Sequence, residues 1–297
     1  MKCDLCPRKC LVNRKKGEKG ICGQTENLKV ARAALHFWEE PCISGDAGSG
    51  AVFFSGCPLH CVFCQNENIA NGTVGKEISL ERLVDIFLEL QEKRANNINL
   101  VTPGHFVPQI VKALDQARRE GLTLPVVYNT SSYETVDTIK MLEGYVDIYL
   151  PDFKYMSPVL SKKYSHAPDY AQVAKAAIAE MVRQTGKAVF VNGDEDNLIL
   201  RGTIVRHLTL PGCMADSMQI LKYLHDTYGD KIYISIMNQF TPLSNLEKYP
   251  ELNRRITDEE YETLVDYAID IGIENGFIQE GDTAEESFIP AFDCEGV

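Results

Sequence analysis

The chain reads as an α/β protein built on a parallel sheet, and three observations predict it. Strand-like and helix-like segments alternate between residues 50 and 272. Six short segments rich in Val, Ile, Leu or aromatics are bounded by Gly, Pro or polar residues, as strands are. The stretches between them carry helical periodicity or helix-start residues, and strand–helix repeats of this kind fold with the helices outside a parallel sheet. Periodicity alone leaves open whether the sheet is doubly wound or curls into a partial barrel. A Cys-rich segment (1–44) precedes the alternating region (45–272), and an acidic tail (273–297) follows it.

The predicted strands are 51–55, 98–102, 126–130, 147–151, 205–210 and 232–237. Leu80, Leu83, Val84, Phe87 and Leu88 fall on one face of a helix after the first strand. Ser131-Ser132-Tyr133-Glu134 has the form of a capping box. So has Thr257-Asp258-Glu259-Glu260, ahead of the stripe Tyr261, Leu264, Val265 and Ala268. Ser157-Pro158 reads as an N-cap followed by Pro at the first helical position. Residues 187–202 read as a turn or hairpin that interrupts the pattern.

Hydrophobic residues at 44% and charged residues at 24% suit a soluble globular chain. No apolar run approaches the ~20 residues of a membrane span, and Met1-Lys2-Cys3 offers no apolar signal core, so a cytoplasmic location without membrane contact is expected. Ten Cys without an export signal point to metal ligation rather than disulfides. A net charge of −12 argues against nucleic acid as a partner. Residues 1–20 are nevertheless basic, with seven Lys/Arg. They read as solvated surface or as a rim around an electron-transfer or substrate entrance.

The densest chemistry follows the first strand, in Cys57-Pro58-Leu59-His60-Cys61-Val62-Phe63-Cys64. Three thiolates at i, i+4 and i+7 on a tight loop can hold three irons of a cubane, which normally takes four Cys. No fourth Cys is near in sequence, which leaves one iron open to an outside ligand. Parallel α/β architectures bind ligands at the C-terminal ends of their strands, where this loop sits.

With Phe63 before the last Cys, this spacing resembles the signature of the radical S-adenosylmethionine superfamily. The run from Gly48 to Gly56 before it and Gln65-Asn66 after it are similar to the first strand and loop of the pyruvate formate-lyase activating enzymes. The resemblance covers about residues 45–272 and implies a six-unit partial (β/α) barrel. It implies a [4Fe–4S] cluster on Cys57, Cys61 and Cys64, with S-adenosylmethionine chelated at the open iron beside Phe63 and Asn66. An electron from a low-potential donor such as flavodoxin or ferredoxin would then cleave the sulfonium, giving a 5′-deoxyadenosyl radical that abstracts hydrogen.

Further residues carry over from the same resemblance. Where the family has Gly-Gly-Glu after strand two, this chain reads Thr102-Pro103-Gly104-His105, so contact there falls to backbone carbonyls near Gly104, the Thr102 hydroxyl or His105. His105 reads equally as a capping or surface residue. Asn129-Thr130-Ser131-Ser132 keeps the Thr of the activating enzymes' Asp-Thr-Asn-Gly, for the ribose or as helix caps. Asp152-Phe153-Lys154 is similar to their Asp-Leu-Lys, with Lys154 placed to neutralise the cofactor's carboxylate. Arg206 begins a similar Arg-to-Pro-Gly stretch, and a buried Arg needs a partner, which the cofactor carboxylate would supply. Gln239 stands near the place where relatives carry a His at the adenine.

A second constellation opens the chain. Cys3, Cys6, Cys10 and Cys22 suit a structural Zn²⁺ or a second four-iron cluster equally. Cys42, Cys213 and Cys294 read as small buried hydrophobes. The sequence thus points to a radical S-adenosylmethionine oxidoreductase resembling the activases of glycyl-radical enzymes, with a glycyl-radical enzyme or other protein as substrate. Radical modification of a small molecule, a peptide or another protein is the alternative, and a non-catalytic iron–sulfur or zinc protein is the third. The tail run Phe288-Ile289-Pro290-Ala291-Phe292 is expected to fold back across the barrel mouth, or to pack elsewhere as a terminal strap.

Overall fold

Branched and aromatic residues alternate between two faces along each central strand, and the two faces meet different partners. The computed structural model describes residues 2–194, 197–243, 246–279 and 290–297. Its strands are β1 (Leu28–His36), β2 (Ser49–Phe54), β3 (Lys76–Ile78), β4 (Ile98–Val101), β5 (Val126–Thr130), β6 (Ile148–Pro151), β7 (Val189–Phe190), β8 (Ile199–Leu208), β9 (Tyr233–Met237) and β10 (Gly276–Ile278). They lie in the order β10-β9-β8-β6-β5-β4-β2-β1-β3, with β7 pairing β8. From β2 through β10 along this order every neighbouring pair is parallel, and β1 adds antiparallel to β2. This is the expected α/β partial barrel, and each of the six predicted strands is present within a few residues.

On the outer face Val126, Tyr128 and Tyr149 pack with Leu83, Phe87, Ile110 and Leu114 of the helices Leu80–Glu92 and Val107–Arg119. On the inner face Val127, Ile148, Leu150 and Ile204 pack around Cys42 and Ile43 of the short helix Pro41–Ser44. Two residues further along each strand, the same inner face turns polar at Asn129, Asp152 and Arg206. The barrel interior is thus apolar toward the strand starts and charged toward the strand ends.

Ser157 and Thr257 cap their helices as expected, Thr257 with Glu260 closes a complete capping box, and Ser79 caps the helix Leu80–Glu92 as well. The box expected at Ser131–Glu134 does not form. Thr130 and Tyr128 draw the Glu134 carboxylate inward with hydrogen bonds of 2.8 and 3.1 Å, and the helix begins at Val136 behind Thr135 instead. The 187–202 segment is a hairpin, since β7 runs antiparallel to β8.

The sheet extends past both ends of the 45–272 region. β1 is Ala-rich, which hides its strand character, and β10 is three residues long. The last residues run beside β1. Ala33 N donates to Glu295 O at 2.8 Å, Cys294 N donates to Ala31 O at 3.0 Å, and Arg32 pairs with Asp293 at 3.0 Å. Phe292 packs edge-on to Phe53, with ring centroids 5.5 Å apart, while Phe288 lies outside the described residues. All ten Cys are free thiols, with Cys42 buried and Cys213 and Cys294 half-buried. Among the described residues no helix is long and apolar enough to cross a membrane.

Candidate active site

β2 is buried along its whole length and delivers the chain to Gly56 and Cys57 at its C-terminal end. The loop from Cys57 to Cys64 is held from three sides. Phe63 seats its ring among Tyr155, Tyr164 and Phe240, at centroid distances of 6.4, 6.5 and 6.0 Å. Val62 N donates to Tyr164 O at 2.8 Å, and the Ser165 hydroxyl donates to Cys61 Sγ at 3.0 Å. His60 takes a left-handed φ of 52° and donates from Nε2 to Ile21 O at 2.7 Å. The aromatic anchor fixes the loop, and the turn at His60 lets three thiols face one side.

That side is a cavity of about 270 Å³. Cys57, Cys61, Cys64, Phe63, Asn66, Thr102, Asn129, Thr130, Asp152, Lys154, Arg206 and Gln239 all line it. One loop and the ends of five strands, separated by more than 180 residues in sequence, therefore converge. Burial pushes the Cys57 thiol up to about 11 and the Cys64 thiol up to about 12, and the neighbouring thiols add to both. Such thiols stay protonated until a cation takes them as thiolates.

Beneath the loop lies a chain of charges. Lys154 Nζ reaches Asp152 Oδ2 at 2.6 Å, and Asp152 Oδ1 accepts from Arg206 Nε at 3.0 Å. Arg206 Nη1 donates to Glu39 Oε2 at 2.9 Å and Nη2 to Asn129 Oδ1 at 2.7 Å. Glu39 Oε1 accepts from Asn99 and Asn129 at 3.2 and 3.1 Å. Burial would raise the Asp152 carboxyl, but Lys154 and Arg206 outweigh it and hold it below the usual range. Burial would lower Lys154, but Asp152 and Cys61 outweigh it and hold its ammonium above the usual range.

Two expectations are corrected here. The partner that buried Arg206 demands comes from the chain itself, as Glu39 and Asp152, because the loop after β1 dips into the barrel. Gly104 does not line the cavity. It lies beneath it against the Glu134 carboxylate, where a Cβ would collide with both oxygens. His105 is likewise structural: it is buried, donates to Ser55 O at 2.7 Å, and burial pushes its imidazole down to about 3.

Sequence reading missed Glu39 and Glu40. Burial raises the Glu40 carboxyl, and its Oε2 has no hydrogen-bond partner among the described residues. Two acids flanked by Trp38 and Pro41 in an apolar stretch, with an unpaired strand Arg elsewhere, were the available clue. Thr102 adds local strain, holding a φ of +55° at the cavity wall, which is uncommon for a branched residue.

A cluster and S-adenosylmethionine fit these residues. Three thiols share one wall, and Lys154 stands beside Cys61 within reach of an anionic group. Among the described residues no three His, Cys, Asp or Glu are grouped as ligands of a single ion. A cubane has no such requirement, since each thiolate meets its own iron.

Comparison with known proteins bears on the same residues. Over 272 residues the chain is 28% identical to an uncharacterized protein of Methanocaldococcus jannaschii, covering 90% of this chain and 74% of that one. Streptococcus suis SuiB bound to S-adenosylmethionine superposes with a TM-score of 0.52 at 13% identity, over 80% of this chain and 51% of that one. HydG, a maturase of the [FeFe]-hydrogenase, gives 0.51 at 15% identity over 78% and 52%, and methylornithine synthase 0.51 at 15% over 75% and 60%. The chain thus spans about half the length of SuiB and HydG, and these likenesses concern the fold. The radical SAM superfamily model matches residues 51–197, which begin in β2 and run through the cysteine loop to the 187–202 hairpin. The chain carries a domain of the radical SAM superfamily.

Proposed function

We propose that the chain is an enzyme that cleaves S-adenosylmethionine reductively and directs the resulting radical at a C–H bond of a polypeptide. The observation that carries this reading is the single cavity where Cys57, Cys61 and Cys64 meet Asp152, Lys154 and Arg206. The bound cluster and cofactor supply the one-electron cleavage and the hydrogen-abstracting fragment. The protein's residues do the rest. Cys57, Cys61 and Cys64 serve as thiolate ligands. Lys154, held charged by Asp152, offsets the cofactor carboxylate. Thr102, Thr130 and Gln239 offer hydroxyls and an amide to the ribose and base. The aromatic packing around Phe63 keeps water from the back of the loop.

The polypeptide reading draws on the cavity's surroundings. A second cavity of about 780 Å³ shares Trp38, Glu39 and Gln239 with the first, so the two adjoin. Trp38 and Phe37 stand exposed along the second and offer apolar contact to an extended chain. Activation of a glycyl-radical enzyme is the form of this activity closest to the motif resemblance. Anaerobically reconstituted protein with dithionite and S-adenosylmethionine should form 5′-deoxyadenosine, and none should form after Cys61→Ala. Reconstituted protein that holds its cluster yet forms no 5′-deoxyadenosine would sink the proposal.

A further inference from the structure

The first 22 residues lie directly on the cysteine loop. Cys3 and the chain after Cys10 pair through Cys3 N to Val12 O and Leu11 N to Cys3 O, each 2.9 Å, which closes the Cys3–Cys10 knuckle. Cys22 returns to this knuckle: Ile21 N donates to Cys10 Sγ at 3.3 Å, and a Cβ on Gly20 would press on the same sulfur. The four thiols are electrostatic neighbours, Cys6 with Cys10 and Cys22, and Cys22 with Cys3 and Cys10.

Three contacts tie this group to the loop. Arg8, inside the knuckle, donates from Nε to Pro58 O at 2.8 Å and from Nη2 to Ser165 O at 3.0 Å, and the Ser165 hydroxyl in turn donates to Cys61 Sγ. Ile21 O, one residue before Cys22, receives the His60 ring. Gly56, one residue before Cys57, lies against the Cys22 carbonyl so closely that no side chain fits.

We propose that Cys3, Cys6, Cys10 and Cys22 hold a second four-iron cluster, in electron exchange with the cluster of the loop. The donors are four sulfurs, and a covalent and hydrogen-bonded route runs from Cys22 through Ile21 and His60 to Cys61. A zinc ion would draw all four sulfurs to about 2.3 Å from one point. In both groups the thiols lie close enough to act on one another's charge, as the corners of a cubane would.

Zinc would have no redox role in this position. A four-iron cluster takes one electron from a low-potential donor and returns to its oxidised state when that electron moves to the loop's cluster. No atom is transferred. Lys2 and Lys9 of the knuckle and Lys15, Lys16 and Lys19 of the segment leading to Cys22 are exposed, a basic stretch suited to an acidic carrier. The electron-exchange part rests on the reading of the loop given above, whereas the metal content does not.

The test is iron, sulfide and zinc analysis, with electron paramagnetic resonance of dithionite-reduced protein. Wild type should hold about eight irons and no zinc, and show two reduced signals broadened by mutual coupling. The C57A/C61A/C64A variant and a C3S/C6S/C10S/C22S variant should each keep about four irons and lose the broadening. Four irons with one zinc in the wild type, or four irons and no second metal, would overturn the proposal, and these counts decide it even if a variant fails to fold. Two sharp, uncoupled signals would overturn the exchange. Loss of all iron from the C3S/C6S/C10S/C22S variant, with four irons kept in the other, would instead count against the loop as a cluster site.

Discussion

Replacing Glu39 with Gln tests whether the charged layer inside the barrel is held by this chain's own carboxylates. Glu39 accepts from Arg206 through one oxygen and from Asn99 and Asn129 through the other. A Gln has a single acceptor oxygen. Turned toward Arg206, its amino group meets the Asn99 and Asn129 donors; turned the other way, it meets the guanidinium. At least one buried contact is lost in either orientation, together with one unit of charge opposite Arg206. The side chains of Glu39 and Arg206 are only 8% and 14% exposed, so solvent screens little of this.

Losing a buried hydrogen bond to a charged group costs about 1.5–3 kcal/mol, and breaking a buried ion pair about 3–5. Arg206 keeps Asp152, which places Glu39→Gln near 3 kcal/mol, roughly a 150-fold shift in the folding equilibrium. The assay is urea unfolding followed by the fluorescence of Trp38, the chain's single Trp and the neighbour of residue 39. In an Arg206→Met background the same substitution should cost below about 1 kcal/mol, since the charge it serves is gone. Equal costs in the two backgrounds would show that Glu39 and Arg206 are not coupled, and the reasoning would fall.

Lys154→Ala should raise the apparent Kd for S-adenosylmethionine roughly 10- to 150-fold, from about 1.5–3 kcal/mol of lost charge-assisted contact, while leaving bound iron unchanged. Anaerobic equilibrium dialysis measures this, and unaltered binding would place the cofactor carboxylate elsewhere. Gly104→Ala drives a Cβ into the Glu134 carboxylate and should destabilise by about 1–3 kcal/mol. A thermal melt should show recovery in the Gly104→Ala/Glu134→Ala pair, and no recovery would mean another neighbour is at fault. His207, buried between Phe153 O at 2.8 Å and the Ser217 hydroxyl at 2.9 Å, is pushed down to about 4 by burial. Unfolded, it binds a proton near pH 6.5, so its contribution is whole above that value and shrinks as pH falls toward 4, by about 1.4 kcal/mol per unit. His207→Gln should flatten the stability–pH profile by that slope, and an unchanged slope would mean that the ring is accessible to protons in the fold.

The central strands were legible because each is a short apolar run between turn residues, and their ends then located the cavity walls. β1 was not legible, since Ala31, Ala33 and Ala34 carry little strand character without the neighbours that bury them. The three thiols of the loop could be grouped from spacing alone, as i, i+4 and i+7 on one turn is a local pattern, and they do line one cavity. Glu39 could not, because its significance lies in a contact with Arg206, 167 residues away. The Ser131–Glu134 box failed for a related reason: the local cap competed with a buried hydroxyl pair, and the tertiary site won. Gly104 was misplaced because a family position was carried over where its Glu is missing, and here the carboxylate of Glu134 arrives from the loop after β5.

The pairing of β1 with residues 294 and 295 has a consequence for how the protein is made. Synthesis delivers the N-terminal residues first, so Ala31 and Ala33 leave the ribosome some 260 residues ahead of their partners, a separation matched by the Arg32–Asp293 contact. Until then this stretch of the strand presents free amide and carbonyl groups, the arrangement by which sheets recruit foreign strands. A chain stalled or clipped before residue 290 would keep that border open, and would be expected to partition into aggregates or chaperone complexes even though Cys57, Cys61 and Cys64 had long been translated.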